Sequence, residues 1–134
     1  MDLGIDLGTS RTVICSEEGG VLLDEATAIA LGRGDEVIAC GDEAETMIGR
    51  TPPTIRAVHP VVKGVIAEYE PAELLLRRFL HRVCHDRVAK PCVAVSIAEQ
   101  MTDVERRSFI EAVVSAGARR VTLVPETVAA AIGA

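Results

Sequence analysis

Short apolar runs broken by turn residues dominate the first part of the chain. They predict three β-strands, at residues 3–6, 12–16 and 21–24. The intervening stretches GIDLGTSRT and SEEGG hold glycine and small polar residues, which are typical of tight turns. Because strands joined by tight turns pair antiparallel, this part of the chain predicts a three-stranded meander.

A second group of short elements is predicted between residues 26 and 60. ATAIAL and EVIAC, which flank GRGD, predict a hairpin, and DEAETMIG predicts a short helix that ends at Gly49. The stretch RTPPTIRAVHP, residues 50–60, is rich in proline, and we expect it to lack regular structure.

The second half alternates between helical and strand patterns. From Pro71 onward, one helical face carries the apolar residues Ala72, Leu75, Leu76, Phe79, Leu80 and Val83. CVAVSI, residues 92–97, is a continuous small apolar run, which is typical of a parallel strand buried on both faces.

The stretch TDVE predicts the start of a second helix. Thr102 as N-cap and Glu105 three residues later form a capping box, and Gly117 ends the helix. We expect its inward-facing residues to be Ile110, Val113 and Val114. A strand at 121–124 and a third helix from residue 126 follow. The order, three antiparallel strands and then αβαβα, predicts an α/β fold: a mixed sheet with helices on its faces and a small insertion after the third strand.

Composition narrows the class of protein. The chain has 134 residues, 49% of them hydrophobic, which suits one globular domain. A net charge of −6 argues against nucleic acid as a partner, and no apolar run approaches the length that spans a bilayer. We therefore expect a cytoplasmic protein with reduced cysteines. His81, Cys84, His85 and Cys92 could converge on zinc, but Cys84 also fits the apolar face of its helix, which is the simpler interpretation.

Four stretches resemble one known family. GIDLGTSRT resembles the first phosphate loop of the actin, hexokinase and DnaK superfamily. GDEAETMIGR, GRTPPTIRAVHPVVKGVIAEY and TDVERRSFIEAVVSAGARRVTLVPETVAAAIGA are similar to stretches of the MreB family of bacterial actins. The resemblance covers the whole chain. It implies an actin-like, ribonuclease H-like fold with subdomain IA at 1–26 and 63–134 and an inserted subdomain IB at 27–62, together the amino-terminal half of the family.

The resemblance implies ATP and magnesium as cofactors, with cofactor-binding residues in the first loop: Asp6, Gly8, Thr9, Ser10 and Arg11. Gly8 permits close approach of phosphate oxygens to backbone N–H groups, and the Thr9 and Ser10 hydroxyls can donate to them. Asp6 is the expected metal residue, holding a water of phosphate-bound magnesium. In the family, the position of Arg11 is usually asparagine. Without the resemblance, the same motif would be interpreted as a hairpin turn.

Glu126 is the expected catalytic residue. The family glutamate at this position orients the water that attacks the terminal phosphate. Alternatively, Glu126 has no catalytic role, and its carboxylate stabilises the start of the third helix by facing the positive end of the helix dipole.

No second glycine-rich phosphate loop occurs in the chain, and half a cleft leaves much of the nucleotide in water. We therefore expect weak or absent ATP binding and no autonomous hydrolysis.

The resemblance also implies partners. We expect the chain to bind full-length MreB-like filament subunits or itself, as a truncated cytoskeletal protein of cell-shape determination, and apolar surface around residues 128–132 to be exposed. In the family, an apolar loop contacts the inner face of the membrane. Here the matching residues are Val88 and Ala89, so we expect little direct contact and an attachment through partners.

Two other functions remain open from sequence. One is half of a split actin-like ATPase that works with a second chain. The other is a nuclease, since the strand order is also that of ribonuclease H. That activity needs converging carboxylates for two metals, whereas Asp6 is accompanied by Ser96 and Ile97.

Overall fold

The computed structural model describes residues 2–85 and 88–134, which form ten strands and four helices. The strands are β1 (Asp2–Leu7), β2 (Arg11–Ser16), β3 (Gly20–Ala26), β4 (Ile29–Leu31), β5 (Val37–Cys40), β6 (Arg56–Val58), β7 (Val61–Val62), β8 (Val65–Ile66), β9 (Cys92–Ile97) and β10 (Arg120–Pro125). The helices are α1 (Asp42–Met47), α2 (Tyr69–Cys84), α3 (Asp103–Ala116) and α4 (Glu126–Gly133).

The main sheet has five strands in the order β10-β9-β1-β2-β3. Strands β1, β2 and β3 pair antiparallel, which confirms the predicted meander. β9 pairs parallel with both β1 and β10, as expected for strands separated by crossover helices. The predicted mixed sheet is therefore confirmed, with α2 preceding β9 and α3 lying between β9 and β10 in the chain.

A second, smaller sheet lies within the predicted insertion. Its three strands run in the order β5-β4-β6, and α1 packs beside it. Small side chains form its core: Ala26, Ala28, Ala30, Ala39 and Ala44. The three strands and α1 lie within residues 27–62, and only the core residue Ala26 lies outside that range. The division into subdomains IA and IB stays a prediction.

The expectation that residues 50–60 lack regular structure was wrong. β6 pairs antiparallel with β4 through Ile29 and Val58, and this pairing brings together residues that are far apart in sequence. A further hairpin, β7-β8, turns at Lys63 and Gly64, both with positive φ. Proline at 52 and 53 precedes β6, where a missing N–H disturbs no ladder bond.

The hydrophobic core lies on one face of the main sheet. Alternate residues of β1 and β9 point into it, and they meet α2 and α3 there. The largest buried side chains of the helices are Leu75, Leu76, Phe79 and Phe109. The stripe predicted for α2 is confirmed, since its members are buried except Val83, which is partly buried against the core.

The buried face predicted for α3 was partly wrong. Ile110 is 38% exposed and Val114 is 44% exposed, while Val113 is fully buried. The actual stripe follows Phe109 at intervals of three and four residues, and consists of Phe109, Ala112, Val113 and Ala116. Burial of the aromatic ring turns Ile110 and Val114 towards the edge of that face.

The opposite face of the main sheet carries small or polar residues and is mostly open. Its exposed members include Asp2, Asp6, Cys15, Ala94 and Thr122. Helix α4 packs on β9 and β10 at one end of this face. Val128 is 46% exposed and Ile132 is 79% exposed, so the predicted apolar exposure around 128–132 is confirmed.

Candidate functional site

A concavity of about 760 Å³ lies on the open face of the main sheet. It is bounded by β1, β9 and β10 towards their carboxyl ends, by part of β2 and by α4. Its polar lining comes from Asp6, Ser96, Glu126 and Thr127, and its apolar lining includes Val13, Val124, Ala129, Ala130 and Ile132. Ligands of open α/β sheets bind at this edge, outside the carboxyl ends of parallel strands.

Strand register places the first carboxylate. Asp6 is the register partner of Ser96 on the parallel strand β9, so both side chains emerge on the same face. The Ser96 hydroxyl donates a hydrogen bond of 2.9 Å to Oδ1 of Asp6. This bond orients an otherwise exposed carboxylate over the concavity.

Glu126 lies at the start of α4, directly after Pro125 ends β10. It is exposed and lines the same concavity as Asp6. The structure thus brings together the predicted metal residue and the predicted catalytic residue. The next residue, Thr127, hydrogen-bonds through its hydroxyl to the carboxylate of Glu99, which anchors the first turn of α4 to the segment after β9.

The turn between β1 and β2 has the geometry that a glycine requires. The N–H of Gly8 donates to the carbonyl of Arg11 at 3.0 Å. A Cβ at residue 8 would lie 2.8 Å from that carbonyl oxygen, which is too close for any other residue without a shift. Gly8, Thr9, Ser10 and Arg11 lie on this turn, next to the concavity but outside its lining.

The turn is also tied to the rest of the chain. The Thr9 hydroxyl accepts a 3.1 Å bond from the N–H of Gly64, and the carbonyl of Ser10 accepts a 2.9 Å bond from the N–H of Thr27. Within the described residues, the exposed Thr9 and Ser10 hydroxyls donate no hydrogen bond, so each can donate to an acceptor such as a phosphate oxygen.

Arg11 is engaged by carboxylates. Its Nε donates to Oδ1 of Asp24 at 2.8 Å, and its Nη1 lies 3.4 Å from Oδ1 of Asp42. The hydrogen bond to Asp24, with the charges of both carboxylates, raises the pKa of the guanidinium above its ordinary value. The charge that the turn would offer to a phosphate at this position is therefore already neutralised by two aspartates.

Magnesium fits the donors at Asp6. Mg²⁺ prefers carboxylate oxygens and retains several waters, and the exposed Asp6 carboxylate has one oxygen held by Ser96. Its second oxygen has no hydrogen bond within residues 2–85 and 88–134, which leaves it for a metal-bound water.

For zinc, by contrast, the described part of the chain holds no group of three or more His, Cys, Asp or Glu side chains placed to bind a metal ion. None of the helices in that part is long and apolar enough to cross a bilayer.

Sequence reasoning missed two features of the site. From sequence, Ser96 matters only because a nuclease would need a carboxylate at that position. Its place at the end of a parallel strand next to β1 could also have indicated a hydrogen-bond partner for Asp6. The engagement of Arg11 gave no local signal, because Asp24 and Asp42 approach it only through the folding of β3 and α1.

Comparisons with known proteins agree with this geometry. The family model described as MreB/Mbl protein matches residues 1–134. The chain is 41% identical over 140 residues to the cell shape-determining protein MreB of Haemophilus influenzae, covering 99% of this chain and 40% of that protein. It is 37% identical over 135 residues to the cell shape-determining protein Mbl of Bacillus subtilis, with the same coverage.

Solved structures give the same result for the fold. MreB5 of Spiroplasma citri bound to ADP has a TM-score of 0.86 and 30% identity, over 98% of this chain and 40% of that one. The MamK double helical filament has a TM-score of 0.76 over 92% of this chain and 40% of that one, and at 20% identity this likeness shows the fold alone. The chain thus spans about 40% of the length of the relatives it matches, their amino-terminal part. Because the family model matches every residue and the matching structures have the actin-like fold, the chain belongs to the MreB/Mbl family of bacterial actins.

Proposed function

We propose that this chain is a cytoskeletal module of cell-shape determination that supplies one wall of an ATP and magnesium site and binds actin-like filament subunits. The proposal rests on one observation: Asp6 and Glu126 line the same concavity, beside the turn at Gly8. Relatives support it: MreB5 is described as bound to ADP and to AMPPNP, and the MreB and Mbl relatives are named as cell shape-determining proteins.

Each residue has a role that its position allows. Asp6 holds a metal-bound water, and backbone N–H groups of the turn at Gly8, with the Thr9 and Ser10 hydroxyls, bind phosphate oxygens. Glu126 orients a water towards the terminal phosphate rather than acting as a strong base. Magnesium, when bound, neutralises part of the phosphate charge.

The concavity has one wall in this chain, so we propose weak nucleotide binding. Its lining comes from one sheet face and α4, and the side away from the sheet is open to solvent. A ligand held on one side retains much of its hydration and gains little burial, whereas tight sites enclose most of the ligand surface. We propose no ATP hydrolysis by the isolated chain, because a water positioned by Glu126 would exchange freely with solvent.

The second part of the proposal is filament binding. MamK, which shares the fold, is described as a double helical filament. We propose that full-length MreB-like subunits, or further copies of this chain, are the partners, and that any location at the inner face of the membrane is reached through them from the cytoplasm. A complementary second chain that completes the ATP site is the alternative, favoured by the presence of both Asp6 and Glu126.

Nucleotide titration of the purified chain tests the site. We expect Mg-ATP to bind with half-saturation at or above about 1 mM, because one wall recovers only part of the cost of association. Asp6→Asn should abolish this binding, while Asp35→Asn, an equal charge change in the β4-β5 turn, should leave it intact. Equal binding by Asp6→Asn and the unmodified chain would exclude Asp6 as the metal residue.

Filament binding is tested by cosedimentation with a full-length MreB filament. Pelleting with filaments and not alone supports a partner, and pelleting alone supports self-assembly. ATP turnover that appears only with a second polypeptide and is lost in Glu126→Ala would favour the split ATPase.

A further inference from the structure

The Arg11 side chain joins the main sheet to helix α1, which packs on the smaller sheet. Its Nε and Nη2 donate to Oδ1 and the carbonyl oxygen of Asp24, each at 2.8 Å, which is a two-pronged grip on β3. Its Nη1 lies 3.4 Å from Oδ1 of Asp42, the first residue of α1. One guanidinium therefore bridges the main sheet and the helix that packs on the smaller sheet.

Further hydrogen bonds, from backbone and hydroxyl groups, connect the same region of the chain. Oδ1 of Asp42 also accepts a 2.8 Å bond from the N–H of Ala26, and the hydroxyls of Thr12 and Thr27 are 2.8 Å apart in a fully buried pair. The carbonyl of Arg11 itself closes the Gly8 turn. The residue that ends the phosphate turn thus also holds the start of α1.

We propose that Arg11 is a positioning residue that clamps the start of α1 to the turn between β1 and β2, and that it is not a phosphate ligand. The clamp follows from contacts in this chain alone. Its consequence, that phosphate bound at the turn and the docking of α1 stabilise each other, rests on the proposed function. To bind a phosphate with the same donors, Arg11 would have to give up three hydrogen bonds to the two carboxylate residues Asp24 and Asp42.

Hydrogen exchange of the α1 amides in the full chain, without nucleotide, tests the clamp. We expect Arg11→Gln to raise their exchange rates about three-fold, which is the size of effect that exposed ion pairs produce. Arg33→Gln is the matched control, because Arg33 is exposed and has no ion pair within the described part of the chain. Arg11→Lys should restore part of the protection, and added salt should reduce the difference.

Asp42→Asn separates the clamp from a general loss of structure. Asparagine keeps the oxygen that accepts from Ala26 but loses the charge that faces Arg11, so α1 exchange should rise as in Arg11→Gln. The double variant should exchange no faster than Arg11→Gln, which already lacks the pair that Asp42→Asn removes. Equal rates in Arg11→Gln and Arg33→Gln, or additive effects in the double variant, would overturn the clamp.

Titration with pyrophosphate and magnesium distinguishes a clamp from a phosphate ligand, because the two roles of Arg11 predict different changes in pyrophosphate affinity in Asp42→Asn. If Arg11 were a ligand, Asp42→Asn would free its Nη1 from a competing carboxylate and tighten binding relative to Glu43→Gln, the same charge change one residue away. For a clamp, Asp42→Asn binds no more tightly than Glu43→Gln, and Arg11→Gln does not bind more tightly than the unmodified chain. Tighter binding by Asp42→Asn than by Glu43→Gln overturns the proposal. Absence of pyrophosphate binding in every variant counts against the proposed phosphate site, while the exchange experiment still decides the clamp.

Discussion

Gly41→Ala is expected to destabilise the chain by more than its backbone geometry alone would cause. Gly41 precedes α1 with φ 72° and ψ −140°, a conformation that is nearly restricted to glycine. An alanine there costs about 1–3 kcal/mol in backbone strain. Its Cβ would also overlap Oε1 of Glu25, so the carboxylate would have to move.

The Glu25 carboxylate has two partners to lose. Oε1 accepts a 3.1 Å bond from the N–H of Asp42, and Oε2 pairs with Arg82 of α2. Hydrogen bonds to charged groups contribute about 1.5–3 kcal/mol. Glu25 is about a quarter exposed and solvent screens part of the interaction, so an added cost of about 1 kcal/mol is the better expectation. The total for Gly41→Ala is then about 2–4 kcal/mol.

Urea unfolding followed by circular dichroism measures this loss. Gly34→Ala is the matched control, because Gly34 has φ 76° but a Cβ added there would meet no atom of the described residues within 4 Å, so only backbone strain of about 1–2 kcal/mol applies. Adding Glu25→Ala should remove the extra cost from Gly41→Ala and not from Gly34→Ala. Equal losses in Gly41→Ala and Gly34→Ala would refute the role given to the Glu25 carboxylate.

Two further predictions concern titrating groups. The backbone hydrogen bond from Thr102 lowers the pKa of Glu105 below its ordinary 4.5, so its contribution to α3 is present above pH 4.5 and is lost as pH falls through the lowered pKa. The stability difference between the unmodified chain and Glu105→Gln, measured by urea unfolding, should therefore shrink as pH falls below the ordinary pKa of 4.5; an unchanged difference would contradict this. Burial raises the pKa of the Cys40 thiol above its ordinary 9.0, whereas Cys15 is exposed, so a thiol reagent at about pH 8 should modify Cys15 in the native chain and Cys40 only after unfolding. Mass spectrometry with Cys15→Ser as control checks this, and equal native labelling of Cys40 would refute it.

The elements that sequence predicted correctly are those set by local pattern. The capping box of α3 is present as expected, with the Thr102 hydroxyl accepting from the N–H of Glu105 at 3.2 Å and the Glu105 carboxylate accepting from the N–H of Thr102 at 3.0 Å. The stripe of α2 and the turns of the meander are equally local. β6 was missed because it pairs with β4, which lies on the other side of α1 and a proline-containing loop in the sequence.

The candidate site also has residues that sequence could predict and contacts that it could not. A motif and a family resemblance predict Asp6 and Glu126 as site residues, and the register of β1, β9 and β10 places both at one concavity. The environment of Arg11 was not predictable, since it depends on where β3 and α1 are docked after folding. Family comparison supplies a position for such a residue but not the partners that its side chain contacts.

The core and the candidate site are linked by strand periodicity. In β1, Leu3, Ile5 and Leu7 are buried against the helices, so Gly4 and Asp6 necessarily face the other way. A shift of one residue in the pairing of β1 would bury Asp6, and an unpaired buried carboxylate is costly enough to exclude that register. The apolar alternation that secures the core therefore also directs the Asp6 carboxylate to the open face, where it can meet Ser96, solvent and a ligand.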